Sequence, residues 1–123
     1  MNVLLLIGVA AAGGLGAGLR YLVDAGVTAV VGNRFPWGIL LVNITGSFAL
    51  GVVTGLAPAS DLTWILGVGL LGGYTTFSTV SVETWLLGER REWRTLWANG
   101  LGTAVACVAA AAAGVAIGAV LSG

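Results

Sequence analysis

The sequence predicts an all-α membrane protein of four transmembrane helices, the third of which is broken in mid-membrane. The chain has 123 residues, of which 58% are hydrophobic and 8% charged, and its mean hydropathy is +1.02. A soluble domain of this size carries far more surface charge. Four apolar segments approach the length of about 20 residues that crosses a bilayer, and the third contains a polar, glycine-rich interruption at 72–79.

The predicted spans follow one another with short connections, which indicates one four-helix domain covering 1–123. The four spans are predicted at about 3–23, 36–56, 62–87 and 95–121. The stretch 25–31 is too short to cross a bilayer alone, so we expect it to continue or cap the first helix. A turn at 57–61 closes the second helix, and Ser60 or Asp61 can cap the third. The segment 88–94 is the strongly polar loop.

The interruption has the sequence GGYTTFST (72–79). Its paired glycines lower helix propensity, and Thr75 and Thr76 can hydrogen-bond to the backbone instead of supporting a helix. Unpaired backbone groups in lipid cost several kcal/mol each, so a break survives only where protein, water or an ion satisfies them. Two interpretations remain open on the residues alone: an ion-handling centre of a small channel, or a Gly/Thr-rich face for helix packing.

Small residues recur at a spacing of four in three of the predicted helices. Such pairs let helix backbones approach closely in lipid, where packing replaces the hydrophobic drive. We expect any one pair to serve packing within the chain, although an oligomer interface is the alternative. The pairs are Gly14 with Gly18, Gly51 with Gly55, and Gly114 with Gly118.

The positive charge is concentrated on one side of the predicted topology. With four spans, both termini lie on one side of the membrane, and the turn before the second helix lies with the 88–94 loop on the other. Because cytoplasmic loops are enriched in Lys and Arg, this second side is predicted to be cytoplasmic. Every arginine lies on it or toward it: Arg20, Arg34, Arg90, Arg91 and Arg94.

Several polar or aromatic side chains fall at membrane depth without a basic group among them. An amide such as that of Asn43 is costly there unless it faces protein or water. Hydroxyl and amide donors with aromatic ring edges suit an anion that must bind weakly enough to leave, whereas the alternative is that the two asparagines join helices. The candidates are Asn43, Phe77, Ser78 and Thr79, position 80 on the face of Phe77, and the i, i+4, i+8 track of Asn99, Thr103 and Cys107.

The remaining ionisable groups support no catalytic site. The chain has no His and a formal net charge of zero, which excludes a basic nucleic-acid surface. Its lone cysteine excludes an intrachain disulfide. Arg20 is spaced to pair with Asp24 along one helix face, and Glu83 is expected to have a structural role beside an arginine or a hydroxyl.

Four motifs together resemble the Fluc (CrcB-like) family of fluoride channels. They are GGLGAGLRY at 13–21, FPWG at 35–38, VNITGSF at 42–48, and GGYTTFST at 72–79 followed by Glu83. The resemblance extends in order over nearly the whole chain, and the third-helix motif is the most specific.

This resemblance implies a fluoride-selective channel in a prokaryotic plasma or inner membrane that passively exports cytoplasmic fluoride and so limits its toxicity. It implies an antiparallel dimer with two pores and a structural sodium ion on the two-fold axis, held by the backbone carbonyls of Gly72 and Thr75. Asn43 matches the family's pore asparagine and Phe77 its first pore phenylalanine. The track from Asn99 corresponds more loosely to the polar track of the fourth helix.

The sequence departs from the family pattern at Val80, where a second phenylalanine is usual. Valine has no ring edge to offer an anion, and an antiparallel homodimer should show little charge bias. We therefore hypothesise a companion subunit of opposite orientation, with homodimerisation as the alternative. Two rival functions are a small proton-coupled multidrug transporter, which needs an embedded acid in its first helix, and a non-conducting scaffold subunit of a heterodimeric channel.

Overall fold

The computed structural model describes residues 2–56 and 60–123, and all regular structure within these ranges is helical. Four helical spans are long and apolar enough to cross a membrane: Val3–Val31, Trp37–Leu56, Asp61–Glu89 and Trp93–Ser122. The chain is therefore an all-α, multi-pass membrane protein. The predicted turn at 57–61 lies partly outside the described residues, because 57–59 are not among them.

The first two spans are the continuous helices α1 (Val3–Val31) and α2 (Trp37–Leu56). The third span has two parts, which we call α3 and α4. Helix α3 comprises an α-helical turn, a π-helical stretch and a second α-helical turn (Asp61–Thr63, Trp64–Leu71 and Gly72–Tyr74), and α4 is Ser78–Glu89. The fourth span, α5, contains a π-helical stretch between two α-helical ones (Trp93–Trp97, Ala98–Gly102 and Thr103–Ser122).

The ends of α1 and α3 follow from local side-chain chemistry. The Asn2 side chain accepts a hydrogen bond from the Leu5 N–H at the start of α1. The expected cap at the start of the third span is confirmed, since the Ser60 hydroxyl accepts from the Thr63 N–H at 3.2 Å. Helix α1 continues through 25–31 and ends at Gly32, whose φ of 82° is easily adopted only by glycine.

Helices α2 and α5 pack with their backbones in direct contact. A Cβ placed on Gly114 would meet the Phe48 carbonyl oxygen and would lie 2.9 Å from the Val52 nitrogen. A Cβ on Gly51 would likewise meet backbone atoms of α5, at Ala111 and Val115. These glycines therefore serve intrachain packing, as expected for close helix contacts in lipid.

Helix α1 packs against α3 through similar close contacts at glycine, but the Gly14–Gly18 pair of α1 makes no such contact. A Cβ on Gly16 would lie 2.8 Å from the Tyr74 nitrogen, and one on Gly73 would meet the Gly13 carbonyl. By contrast, nothing lies within 4 Å of a Cβ placed on Gly14 or Gly18. That pair does not take part in the packing of the described chain.

Candidate functional site

Residues 75–77, near the middle of the third span, lie between one helical segment that ends at Tyr74 and the next, which begins at Ser78. The Thr75 N–H still donates to the Leu71 carbonyl at 2.9 Å, but the Thr75 backbone is extended, with φ −76° and ψ 156°. Helical structure resumes at Ser78. The backbone groups of this short segment therefore need partners other than their helical neighbours.

The Asn43 side chain supplies two of these partners. Its Nδ2 donates to the Thr76 carbonyl at 3.0 Å, and its Oδ1 accepts from the Thr76 N–H at 2.8 Å. Both side chains are buried. A primary amide is suited to this task because it carries a donor and an acceptor side by side. Asn43 thus fixes α2 to the interruption through a paired hydrogen bond.

The same segment diverts two N–H groups away from the Gly72 and Thr75 carbonyls. In a regular helix the Thr76 N–H would donate to Gly72 and the Thr79 N–H would donate to Thr75. Here the first donates to Asn43, and the second donates to the Thr76 hydroxyl at 3.1 Å. The two carbonyl oxygens have lost their ordinary helical donors, and such oxygens are the ligands that hard cations prefer.

A cavity of about 260 Å³ lies beside the interruption, between α2, α4 and α5. It brings together five of the residues predicted from the sequence: Asn43, Phe77, Val80, Thr103 and Cys107. Its other walls come from Ser47, Thr75, Thr76, Gly100 and Ala104. The lining contains amides and hydroxyls but no charged side chain. It can offer hydrogen-bond donors to an anion without a fixed charge that would trap it.

Two lining residues show that this cavity contains a buried hydroxyl and is open on one side. Thr103 is only 5% exposed, and among the described residues its hydroxyl has no hydrogen-bond partner. A buried hydroxyl without a partner is costly, so we expect a ligand or water to satisfy it. In contrast, the Phe77 ring is 86% exposed at the rim. The described chain leaves one side of the cavity uncovered.

Three predicted pathway residues lie outside the cavity lining: Ser78, Thr79 and Asn99. Asn99 is 1% exposed, and its Nδ2 donates to the Thr84 hydroxyl at 2.9 Å and to the Val80 carbonyl at 3.5 Å. The i, i+4 spacing placed it on one face with Thr103, but the π-helical stretch Ala98–Gly102 changes the rotation between them. In this chain Asn99 joins α5 to α4.

The ionisable residues expected to be structural lie toward the arginine-rich end. Glu83 lines a second polar cavity, of about 470 Å³, together with Asp24, Arg34 and Arg90. The α1–α2 turn and the α4–α5 loop are therefore neighbours, as a four-span topology requires. In the described part of the chain, Arg20 forms no ion pair with Asp24, whose carboxylate instead accepts from the Thr28 hydroxyl at 3.4 Å. The suggested Arg20–Asp24 pairing is wrong.

The sequence reasoning missed the roles of Thr76 and Ser47. Ser47 follows Asn43 by four residues, so the i, i+4 rule could have found it. The Thr76 backbone gave no such signal, because its contact with Asn43 spans 33 positions along the chain. Only the fold brings those two residues together.

The fold and site define a multi-pass, four-span membrane protein with an uncharged cavity beside residues 75–77 of its third span. The chain belongs to the CrcB-like protein, Camphor Resistance (CrcB) family, whose model matches residues 7–115.

Curated relatives with high identity support this membership. The chain is 45% identical over 111 residues to the fluoride-specific ion channel FluC of Rhodospirillum centenum, covering 86% of this chain and 82% of the relative. It is 44% identical over 114 residues to FluC 2 of Mycobacterium tuberculosis (strain ATCC 25618 / H37Rv), covering 93% and 90%. With FluC 1 of Leifsonia xyli subsp. xyli it shares 42% identity over 122 residues, covering 96% and 89%.

Proposed function

We propose that this protein is a fluoride-selective ion channel, and not an enzyme, that lets cytoplasmic fluoride leave a prokaryotic cell passively through its plasma or inner membrane. The observation that carries the proposal is the uncharged cavity, whose lining includes the hydrogen-bonded residues Asn43 and Thr76 and further hydroxyl groups. Family membership and relatives named fluoride-specific ion channels support the choice of ion.

The cavity chemistry suits a small anion in transit. The Thr103 hydroxyl without a partner can donate to fluoride, and the exposed Phe77 ring offers a partly positive edge. Arginine is absent from the lining, so an anion meets donors without a deep electrostatic trap. Passage down a gradient requires that the anion enter and leave the cavity with similar ease, and a lining without fixed charge favours this.

The multidrug-transporter alternative is not favoured. Proton-coupled export of a cationic drug needs a carboxylate embedded in the first helix. In α1 the acid is Asp24, which lies against Gly38 and accepts from Thr28 near the arginine-rich end. Asp24 does not line the cavity beside Asn43.

Fluoride efflux from liposomes tests the proposed function. Vesicles are loaded with potassium fluoride and carry the purified chain, either alone or with a candidate companion subunit. Valinomycin then makes them permeable to potassium. Release is followed with a fluoride electrode. We expect rapid release of fluoride and little release of chloride in at least one of the two preparations. Release no faster than from empty vesicles in both would favour the scaffold alternative.

We further propose a structural sodium ion at the interruption, bound by the Gly72 and Thr75 carbonyls. Support comes from the diversion of their helical donors to Asn43 and to the Thr76 hydroxyl. Hard cations prefer six or more oxygen ligands, and one chain offers only these two carbonyl oxygens. A second subunit placed across a two-fold axis would double the number of oxygens.

Sodium removal is expected to weaken the assembled channel. A bound ion stabilises by about 2.7 kcal/mol when its concentration is a hundredfold above its Kd. Protein exchanged extensively into N-methylglucamine buffer should unfold or dissociate at lower temperature, and added sodium should restore the midpoint better than added lithium. Identical thermal midpoints and dimer fractions in both buffers would contradict the sodium site.

The open side of the cavity supports an antiparallel dimer. Polar groups at membrane depth must be covered by protein or water, yet the Phe77 side of the cavity is uncovered in the described chain. A second subunit would complete the wall and create two pores. Because all five arginines lie at or toward one side, and the structure brings Arg34 and Arg90 together there, we propose that the partner is a companion subunit of opposite orientation.

Val80→Phe is expected to raise fluoride efflux by the isolated chain. Val80 lines the cavity one turn after Phe77, so a second ring edge would face the anion where valine offers only methyl groups. An aromatic contact worth about 1 kcal/mol corresponds to about a fivefold increase. Val80→Leu is the control for added volume. Equal effects of Phe and Leu would show that the ring edge has no part in conduction.

A further inference from the structure

We infer that the hairpin between α4 and α5 carries a binding site for a glycerophospholipid with an anionic headgroup. The site combines an apolar cleft, which we call the hairpin cleft, with an arginine-bearing turn at its mouth. It is separate from the cavity beside Asn43, shares none of that cavity's lining residues, and does not depend on the proposed channel function.

The hairpin cleft has a volume of about 500 Å³ and lies between α4 and the first turns of α5. Its walls include Trp85, Trp93 and Leu96. The two indoles are 69% and 57% exposed, and tryptophan is typical of the headgroup level of a membrane. An apolar cleft that opens at this level suits an acyl chain.

The charge of the turn complements an anionic headgroup. Between the cleft-lining residues Glu89 and Trp93 the chain carries Arg90, Arg91 and Glu92, and Arg94 follows directly. Glu89 is occupied locally, since its carboxylate accepts from the Trp85 Nε1 at 3.1 Å. The three arginines are exposed and form no ion pair within the described residues. Arg90 also lines the second polar cavity, which leaves the other two arginines for the headgroup.

Arg91 holds a backbone position where glycine is favoured. Its φ is 57°, the one positive value at a non-glycine residue in the described chain. The Arg91 N–H donates to the Gly88 carbonyl and the Glu92 N–H donates to the Leu87 carbonyl, which is the Schellman ending of a helix. Any residue but glycine is strained there. An arginine at such a position is explained if its guanidinium has a use beyond the turn.

The predicted topology places this turn in the leaflet where its ligand is found. The arginine-rich side is predicted to be cytoplasmic, and the cytoplasmic leaflet has a negative surface potential from its anionic lipids. Each arginine near such a surface contributes about a fivefold gain in affinity. The proposed ligand is therefore an anionic phospholipid of that leaflet.

Native mass spectrometry of the purified full chain in detergent tests the site. Phosphatidylglycerol and phosphatidylcholine with identical acyl chains are titrated against wild type, Arg91→Gly, Arg91→Lys and Arg94→Gln. Arg34→Gln is the control, because Arg34 belongs to the other turn at the same end. We expect wild type to retain phosphatidylglycerol preferentially and Arg91→Gly and Arg94→Gln each to lose about fivefold in its affinity. Arg91→Lys and the control should keep the preference.

Thermal unfolding without added lipid separates binding from folding. Glycine relaxes the left-handed position, so Arg91→Gly should be at least as stable as wild type while binding the anionic lipid less well. Stability that is unchanged or higher, together with weaker binding of the anionic lipid, supports the site. Equal retention of the two lipids by wild type, wild-type affinity of Arg91→Gly, or an equal loss in Arg34→Gln would each overturn it. Loss of dimer in Arg91→Gly with lipid retention unchanged would assign the cleft to a second copy and also overturn it.

Discussion

Replacing Asn43 with Asp is expected to reduce fluoride efflux about a thousandfold. The carboxylate lacks the Nδ2 donor that holds the Thr76 carbonyl, and it faces that oxygen with like polarity. It also places a negative charge in the cavity lining. Two like charges 4 Å apart cost about 4 kcal/mol at an effective dielectric constant of 20, which corresponds to about three powers of ten in rate. The measurement is electrode-detected efflux from liposomes.

Asn2→Asp provides a matched control for this substitution. Asn2 caps α1, and aspartate serves as well as asparagine at that position, so its efflux should equal that of wild type. Asn43→Ala separates the two causes, because it removes the Asn43–Thr76 hydrogen bonds without adding a charge. Efflux by Asn43→Asp within tenfold of wild type would show that conduction depends neither on the Asn43–Thr76 hydrogen bonds nor on the charge at position 43.

Gly114→Ala is expected to destabilise the fold by about 3 kcal/mol. The added methyl group would meet the Phe48 carbonyl oxygen and the Val52 nitrogen, which are backbone atoms and cannot rotate away. Overpacking of this kind costs about 1–3 kcal/mol, and an immovable neighbour favours the upper value. The α2–α5 contact must then separate. The thermal midpoint in detergent should fall by about 12 °C or more.

Gly26→Ala is the comparison for this prediction. It makes the same chemical change in a helix, but nothing lies within 4 Å of the new methyl group. Alanine favours helix over glycine by about 1 kcal/mol, so this variant should be as stable as wild type or more so. If both variants shifted the midpoint equally, close helix contact would not be the reason for Gly114.

Much of the architecture could be predicted because it depends on hydropathy and local chemistry. The four spans appear where the apolar segments lie, α1 continues through 25–31 as expected, and the third and fourth spans extend slightly beyond their predicted bounds. Capping by Ser60 was predictable from its side chain alone. Asn43 and Phe77 were identified because polar or aromatic groups beside a glycine-rich stretch are unusual at membrane depth. Val80 was identified because it shares a helix face with Phe77, and the structure gathers all three at one cavity.

Two expectations depended on residue spacing alone. Asn99 was predicted on the fluoride path with Thr103 because a regular helix brings every fourth residue to one face, but a π-helical stretch alters that rotation, and the Asn99 amide donates to the Thr84 hydroxyl. The Arg20–Asp24 pairing assumed that spacing decides ion pairs. The Thr28 hydroxyl and the close approach of Gly38 occupy Asp24 instead.

The sequence by itself determined that the chain has four segments able to cross a membrane, that the third contains a glycine- and threonine-rich segment, and that its arginines lie to one side of the predicted topology. Those properties are set by composition and by neighbours a few residues apart. Only the tertiary structure decided that Asn43 holds the Thr76 backbone and that Thr103 and Cys107, but not Asn99, line the cavity. These contacts join residues far apart in the chain, so they depend on how the helices pack.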